Sequence, residues 1–188
     1  MCFSASGRAV YRCDTLFVMP EQTRIALTGF MGVGKSSVAR HLAKILGAER
    51  ADLDHYIEQV TKRRIADIIT EDGIGRYREI ESEMLRKLLA ETSAPIVSLG
   101  GGTWISEENR EIIRQNGITT VWLESTFEHC WQNIRKSRKE RPLAKDRETA
   151  LKLFEERQAA YCLADWHFIV RPGLSSFAVA NQIVEEIF

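Results

Sequence analysis

The chain has 188 residues, of which 44% are hydrophobic and 28% charged, a composition typical of one soluble globular domain rather than of a disordered segment. Its 26 basic and 26 acidic residues cancel, which removes the usual electrostatic reason to expect nucleic-acid binding. No apolar run approaches the roughly 20 residues that a membrane-spanning helix needs, so we expect no membrane partner.

Cysteine usage favours a reduced, cytosolic protein. The cysteines form no C-x-x-C pair, and no histidines stand at zinc-finger spacing, so we expect no metal site built on them. We expect no disulfide framework either, because a domain of this size can bury a full core. The four residues are Cys2, Cys13, Cys130 and Cys162.

The N-terminal segment differs from the rest of the chain. It lacks a continuous apolar stretch of signal-peptide length and shows no clear periodicity. We predict that residues 1–20 are a loose extension, or that the start codon has been assigned upstream of the true start, for which Met19 is the candidate. Residues 21–188 are predicted to form a single domain.

From residue 21 onward, short apolar runs alternate with amphipathic helical stretches. The first predicted segments are a strand at Arg24–Thr28, a helix at Lys35–Leu46, a short strand ending near Asp52 to Asp54, a helical region from Ile57 to Ile68, a break at Gly73 and Gly75, a helix from Tyr77 to Leu89, and a strand at Pro95–Leu99. The later ones are a helix capped by Ser106 and ended by Gly117, a strand at Thr119–Leu123, a helix begun by a capping box of Ser125 and Glu128, a helix at Leu151–Tyr161, a strand at Trp166–Val170, and a helix at Phe177–Ile187. Helices between strands imply right-handed crossovers and a parallel sheet.

A glycine-rich sequence joins the first strand to the first helix. Residues 29–36, GFMGVGKS, fit the pattern G-x-x-x-x-G-K-[ST] in the strand–loop–helix context that it requires. The glycines let backbone N–H groups turn toward phosphate oxygens, and the helix N-terminus adds partial positive charge. Lys35 is predicted to reach the β- and γ-phosphates of ATP, and Ser36 to bind Mg²⁺. The acceptor stays open, because GTPases, ATPases and small-molecule kinases share this loop.

Asp52 and Asp54 form a D-x-D pair at the predicted carboxyl end of the second strand, the edge at which open α/β sheets hold ligands. Residues two apart on a strand point to the same face, so we expect both carboxylates in the site. One is predicted to serve Mg²⁺ through water and the other to accept the proton of an attacking hydroxyl. Taken alone, the pair fits a helix cap and a surface acid equally well.

Two further features fit either a site or ordinary structure. Arg78 and Glu81 share a helix face at i, i+3, which is typical of a surface ion pair but also fits an arginine fork for a substrate carboxylate. Gly100, Gly101 and Gly102 directly follow a buried strand. They fit a flexible connector, or a place where a ligand approaches the backbone closely.

A dense basic run between two predicted helices fits either a solvated loop or a mobile lid. A lid would bring an arginine onto the transferring phosphate and exclude water. The predicted lid lies near residues 135–148, and Arg157 on the following helix fits either a surface or a site position. The run consists of Arg135, Lys136, Arg138, Lys139 and Arg141.

Taken in order, these motifs resemble the shikimate kinase family over nearly all of residues 23–188. The segments that carry the resemblance are GFMGVGKS at 29–36, DLD at 52–54, IADI and DG within 65–73, RxxE at 78–81, GGG at 100–102, RPL at 141–143 and ERxxxY at 156–161. The resemblance implies a P-loop kinase fold, with a five-stranded parallel sheet flanked by helices and a short lid. It also implies ATP-dependent phosphorylation of the 3-hydroxyl of shikimate with Mg²⁺, by a cytoplasmic and usually monomeric enzyme.

The resemblance further implies roles for individual residues. Catalysis is assigned to Lys35, Asp54 and Arg141. ATP is expected to contact Gly32, Val33, Gly34, Lys35, Ser36, Ser37, Arg135 and Arg141, with Arg135 stacked on adenine. Mg²⁺ is expected on Ser36 and, through water, on Asp52. Shikimate is expected to contact Asp54, Arg78, Glu81, Gly100, Gly101, Gly102 and Arg157, with Arg78 and Arg157 gripping its carboxylate.

The chain departs from the family pattern at a few positions. Ile69 and Tyr77 stand where many members carry phenylalanine, Ile74 stands where an acidic residue is common, and the lid is shorter. None of these changes removes a charge that the chemistry needs, so they bear on substrate affinity and identity. Two alternatives are another small-molecule or nucleotide kinase, such as a gluconate kinase, and a regulatory module that only binds nucleotide. The DLD, RxxE and GGG set argues against the first, and the presence of Lys35 and Asp54 against the second.

Overall fold

The computed structural model describes residues 23–137 and 140–188. Residues 1–22, with the predicted extension and Met19, lie outside the described residues, as do Arg138 and Lys139 of the predicted lid. The strands are β1 (Ile25–Thr28), β2 (Arg50–Asp52), β3 (Ile96–Ser98), β4 (Thr119–Glu124) and β5 (Trp166–Ile169). The helices are α1 (Lys35–Leu46), α2 (Leu53–Thr61), α3 (Ile65–Glu91), α4 (Glu107–Gln115), α5 (Phe127–Lys136), α6 (Arg147–Tyr161) and α7 (Ser176–Ile187), and a 3-10 helix, Thr103–Ile105, precedes α4.

The five strands form one parallel sheet in the order β2-β3-β1-β4-β5, which confirms the predicted fold. β1 lies at the centre, and Ile25 pairs with Ile96 of β3 on one side and with Thr119 of β4 on the other. The chain therefore forms β2 and β3 on one side of β1 before it forms β4 and β5 on the other side. Ligands of open α/β sheets bind at such a switch point, beyond the carboxyl ends of the strands. The loop after Thr28 lies at that point.

β1 and α1 form the centre of the core. All four residues of β1 are buried, as expected for a strand that is covered on both faces. α1 packs on β1, β3 and α7, and its inward face includes Val38 and Leu42, both almost completely buried. This packing holds the start of α1 firmly against the end of β1. Within the described residues, no helix is both long and apolar enough to cross a membrane.

The second strand ends within the predicted range, but the structure corrects the reasoning about the two acids. β2 stops at Asp52, whose side chain caps α2 by accepting a hydrogen bond from the backbone N–H of His55 at 3.3 Å. Asp54 lies in the first turn of α2 rather than on the strand. The argument from strand alternation was therefore wrong, because capping by Asp52 turns the chain into a helix one residue before Asp54.

Two helix starts also differ from prediction. The cap of α5 is Thr126, whose hydroxyl accepts a hydrogen bond from the backbone N–H of His129 at 3.4 Å. The predicted cap, Ser125, instead donates its hydroxyl to the carbonyl of Val170 at 2.6 Å. α6 begins well before the predicted Leu151, because Asp146 caps it. The connection that was predicted to form the lid therefore spans residues 137–146.

Replacement of the residue that caps α5 should lower the free energy of unfolding only when the replacement removes the capping hydrogen bond. Thr126→Ala removes the acceptor for an N–H of the first turn and should lower the free energy of unfolding by about 1 kcal/mol. Thr126→Ser keeps the hydroxyl and should stay within a few tenths of a kcal/mol of the unmodified chain. Urea denaturation of the three proteins measures both values. Equal losses in the two variants would contradict the assignment of Thr126 as the cap.

Candidate active site

The phosphate loop runs from the end of β1 to the start of α1 and needs glycine for steric reasons. Gly32 has a φ of 85°, a left-handed conformation that other residues rarely adopt. A Cβ atom on Gly32 would also lie 2.4 Å from the carbonyl oxygen of Cys130, which is too close for any side chain. α1 begins after Gly34 without a side-chain cap, so its first-turn N–H groups face the loop. This is the arrangement that binds phosphate oxygens.

Lys35 is buried beneath this loop. Its ammonium group donates to the carbonyl oxygens of Gly29 at 2.7 Å and Phe30 at 3.2 Å, so the side chain wraps back along the loop. Burial lowers the pKa of Lys35 from 10.5 to about 8, although the negative charge of Asp54 partly opposes this shift. Lys35 is therefore a cation held in a poorly solvated place, where a phosphate group would strengthen its charged form.

Ser36 and Asp52 offer oxygen atoms suited to a magnesium ion. The Ser36 hydroxyl donates to a carboxylate oxygen of Asp52 at 2.8 Å, and the other oxygen of Asp52 is held by the cap of α2. Among the described residues, no group of three or more His, Cys, Asp or Glu side chains forms a metal cage. Mg²⁺ usually binds through one or two protein oxygens together with substrate phosphates. The residues present therefore fit Mg²⁺ held with a nucleotide.

Two cavities open beyond the carboxyl ends of the strands. One, of about 460 Å³, surrounds the phosphate loop and contains Lys35, Ser36 and Asp52. The other, of about 370 Å³, lies between α2, α3, the glycine run and the segment that follows residue 140. Four residues line both: Met31, Asp54, Gly101 and Arg141. These residues therefore mark the boundary between the two cavities.

Arg141 stands at this junction. Its side chain is largely withdrawn from solvent, and burial lowers the pKa of its guanidinium group. Its Nε atom is buried and has no hydrogen-bond partner in the part of the chain that the structure describes. A buried donor without an acceptor is unfavourable, and a phosphate oxygen in either cavity would supply one. Arg141 thus fits an anion at the boundary between the cavities.

The second cavity contains two arginines on different helices. Arg78, on α3, is held by an ion pair of 2.5 Å with Glu81. Arg157, on α6, is 6% exposed and donates to the carbonyl oxygen of Gly101 at 2.9 Å, and burial lowers its pKa. Tyr161, one turn further along α6, donates to the same carbonyl at 2.5 Å. The two guanidinium groups line a single cavity, which therefore offers two positively charged donors to an anion such as a carboxylate.

The glycine run makes room for the chain's own side chains. A Cβ atom on Gly102 would lie 2.2 Å from Nη2 of Arg78, so the guanidinium group rests directly on this glycine. A Cβ atom on Gly100 would lie within 3.0 Å of oxygen atoms of Asp54, Thr103 and Glu81. The close approach that three consecutive glycines suggested is therefore, at these two positions, an approach by protein side chains.

The structure brings most of the predicted site residues together. The nucleotide-side cavity is lined by Gly32, Val33, Gly34, Lys35, Ser36, Ser37 and Asp52, and the other cavity by Arg78, Glu81, Gly102 and Arg157, with Asp54, Gly101 and Arg141 in both. Gly100 lines neither cavity. Arg135 lies apart, in a groove with Arg64 and Trp131, and does not line the nucleotide-side cavity. Its contact with adenine stays a prediction.

Sequence reasoning missed several lining residues. The nucleotide-side cavity also contains His129 and Asn133, which are one helical turn apart on α5, and Asn133 donates to the carbonyl oxygen of Gly32 at 2.8 Å. The i, i+4 spacing of these two polar residues was the only available signal.

The acceptor-side cavity contains Ile69 and Tyr77, at which the chain departs from the family pattern. Ile74, the third departure, is 42% exposed and lines neither cavity.

Comparison with known proteins agrees with this geometry. A sequence model described as shikimate kinase matches residues 31–188. The chain belongs to the shikimate kinase family. A family member from Persephonella marina is 38% identical over 164 residues, which cover 87% of this chain and 98% of that protein. One from Streptococcus thermophilus is 38% identical over 164 residues, covering 86% of this chain and 93% of that protein.

Solved structures place the chain in the same family. A shikimate kinase from Acinetobacter baumannii in complex with shikimate has a TM-score of 0.79 and 29% identity, and the match covers 88% of this chain and 92% of that one. A gluconokinase from Sinorhizobium meliloti has a TM-score of 0.54 at 16% identity, which reflects a shared fold alone. The resemblance inferred from the motifs is therefore confirmed at the level of the family.

A side chain at position 102 should disturb Arg78 without straining the backbone. Gly102 has a φ of −117°, which alanine accepts, so Gly102→Ala acts only through its Cβ atom against the guanidinium group. We expect this variant to lose about 1 kcal/mol of unfolding free energy, at the low end of the cost of overpacking, because the displaced group ends a flexible side chain that is paired with the buried Glu81. Urea denaturation measures the loss.

Gly75→Ala is the matched control, because position 75 lies exposed on α3 and an added Cβ atom there meets nothing within 4 Å. This variant should be neutral or more stable by up to about 1 kcal/mol, since alanine favours helix. If both variants lose equal stability, or neither does, Gly102 is not required for the placement of Arg78.

Proposed function

We propose that this chain transfers the γ-phosphoryl group of ATP to the 3-hydroxyl of shikimate, giving shikimate 3-phosphate and ADP. The observation that carries the proposal is the junction of the two cavities at Asp54 and Arg141. A nucleotide on the phosphate loop and an acceptor beside Arg78 and Arg157 would meet there. Phosphoryl transfer depends mainly on such positioning and on charge stabilisation.

On the nucleotide side, the backbone N–H groups at the start of α1 bind phosphate oxygens, and Lys35 holds the β- and γ-phosphates. Ser36 and Asp52 would hold Mg²⁺, which would supply positive charge to neutralise the phosphate groups. The hydrogen bond between these two side chains orders their oxygen atoms before the nucleotide arrives. Little reorganisation is then needed on binding.

On the acceptor side, Arg78 and Arg157 hold the carboxylate of shikimate and so orient its ring. A guanidinium fork matches two carboxylate oxygens, and lysine lacks this geometry. Asp54 accepts a hydrogen bond from the attacking 3-hydroxyl and takes its proton as the bond to phosphorus forms. Asp54 is suited to this step because it lines both cavities.

Charge that develops on the transferring group is stabilised by two buried cations. Lys35 lies on the nucleotide side of the junction and Arg141 at the junction itself, each withdrawn from water. Electrostatic stabilisation is stronger in such a poorly solvated place than in bulk water. The segment that follows residue 140 lines the acceptor-side cavity and carries Arg141, and it shields the reaction from water.

The family assignment supports the choice of shikimate over other acceptors, and the solved relative from Acinetobacter baumannii contains shikimate. The requirement for Mg²⁺ rests on the fit of Ser36 and Asp52. The cytoplasmic location, the monomeric state and the absence of nucleic-acid or membrane partners stay predictions. Size-exclusion chromatography with light scattering would test the monomer.

The proposal is tested by measuring ADP release with ATP and Mg²⁺ in the presence and absence of shikimate. We expect rapid release only with shikimate, and shikimate 3-phosphate as the product by mass spectrometry. Gluconate and a set of nucleosides serve as competing acceptors. Release that is independent of shikimate, or faster with gluconate or a nucleoside, would overturn the assignment.

The two acids should respond differently to substitution. Asp54→Asn removes the proton acceptor and should lower kcat by about 100-fold or more at every Mg²⁺ concentration. Asp52→Asn weakens the hold on Mg²⁺ and caps α2 nearly as well, because asparagine is also a good cap. Its activity should recover in part as Mg²⁺ is raised. Titration of Mg²⁺ for both variants decides this, and equal recovery of both, or of neither, would show that the roles are assigned wrongly.

A further inference from the structure

Glu81 is a carboxylate almost completely removed from water, with a partner on each oxygen. It is 1% exposed. One oxygen accepts from Arg78 at 2.5 Å. The other accepts from the hydroxyl of Thr103 at 2.8 Å and from the hydroxyl of Tyr77 at 3.3 Å. The ion pair between Arg78 and Glu81 is therefore one side of a larger network.

The two hydroxyl groups have an energetic role. A buried carboxylate with unsatisfied oxygens is unfavourable, and one ion pair rarely compensates for the loss of water on its own. Arg78 leaves part of its side chain exposed to the cavity, whereas Thr103 is fully buried and Tyr77 nearly so. Thr103, which lines neither cavity, thus provides the dry side of the network, whereas Arg78 and Tyr77 both line the acceptor-side cavity.

Tyr77 contacts the network twice. Its hydroxyl reaches Glu81, and its ring lies 5.2 Å from the guanidinium carbon of Arg78, a cation–π contact. Burial, followed by the negative charges of Glu81 and Asp54, raises the pKa of Tyr77 far above its usual value, so the hydroxyl keeps its proton and acts as a donor. The ring and the hydroxyl are separable, because phenylalanine keeps only the ring.

Thr103 links the network to the glycine run. It opens the 3-10 helix after Gly102, and its own carbonyl oxygen accepts from the side chain of Asn109 at 3.0 Å. Asn109 is itself buried in α4. The hydroxyl of Thr103 is therefore held by a segment separate from α3, the helix that carries Arg78 and Glu81.

We propose that the hydroxyl groups of Thr103 and Tyr77 are positioning groups for the acceptor carboxylate. They hold one oxygen of Glu81 so that its other oxygen fixes the guanidinium group of Arg78 above Gly102 and toward the cavity. The hydroxyl of Thr103 lies outside both cavities, and each hydroxyl acts through its hydrogen bond to Glu81. This inference rests on the proposed function, because it assigns to Arg78 a carboxylate of the acceptor.

The test compares variants that remove a hydroxyl with one that keeps it. Thr103→Val and Tyr77→Phe should each raise the KM for shikimate by about 3-fold to 10-fold, less than full loss of a charged hydrogen bond, because Arg78 keeps its direct pair with Glu81. The KM for ATP, and kcat at saturating shikimate, should stay within about twofold. Thr103→Ser retains the donor and should restore the low KM for shikimate.

Two further measurements separate positioning from general support of the fold. The methyl ester of shikimate has no carboxylate charge, so Thr103→Val should not reduce kcat/KM for the ester. In a Glu81→Gln background, Thr103→Val should raise the KM for shikimate no further, because the two residues act through one contact. If Thr103→Val does not fold, Tyr77→Phe carries both measurements, with Glu81→Gln as its background.

Three results would overturn the inference. These are an unchanged KM for shikimate in both Thr103→Val and Tyr77→Phe, an equal rise of the KM for ATP and for shikimate, and a serine variant as impaired as the valine variant. They are distinct from failure of the proposed function, in which the unmodified chain does not phosphorylate shikimate at all.

Discussion

The burial of charge around the carboxyl end of β1 is the constraint on which the site depends. Lys35, Arg141 and Arg157 are cations in poorly solvated places, and burial lowers the pKa of each. Charges in such places are costly unless they are paired, so a protein keeps them only where a ligand or another side chain completes the pair. Bound phosphates and a bound carboxylate would supply the missing negative charges. This explains why the cations are already in place before any ligand binds.

The order of the strands explains why the site consists of two adjoining cavities. Because β1 lies between β3 and β4, the loop after it faces the gap where the two halves of the sheet diverge. α2 and α3 supply the acceptor side, and α1 and α5 supply the nucleotide side. Asp54 and Arg141 come from different segments of the chain and meet only because the sheet brings both segments to one edge.

The glycine run shows that a local pattern can predict a close approach to the backbone without showing which group approaches. Three glycines after a buried strand predicted a close approach, and the structure has one. At Gly102 the approaching group is the guanidinium group of Arg78, and at Gly100 it is a set of side-chain oxygen atoms. Glycine at these positions therefore serves the placement of side chains, and Gly101 is the member of the run that lines both cavities.

The sequence by itself determined the parallel sheet, the phosphate loop and the family, because hydrophobic periodicity and the spacing within GFMGVGKS are local properties of the chain. Most of the residues that it assigned to the site do line one of the two cavities. Only the tertiary structure decided that Asp54 lies on a helix, that Arg135 lies outside the nucleotide-side cavity, and that Thr103 binds Glu81. Capping choices and contacts between distant segments depend on competing partners in three dimensions, which spacing along the chain does not encode.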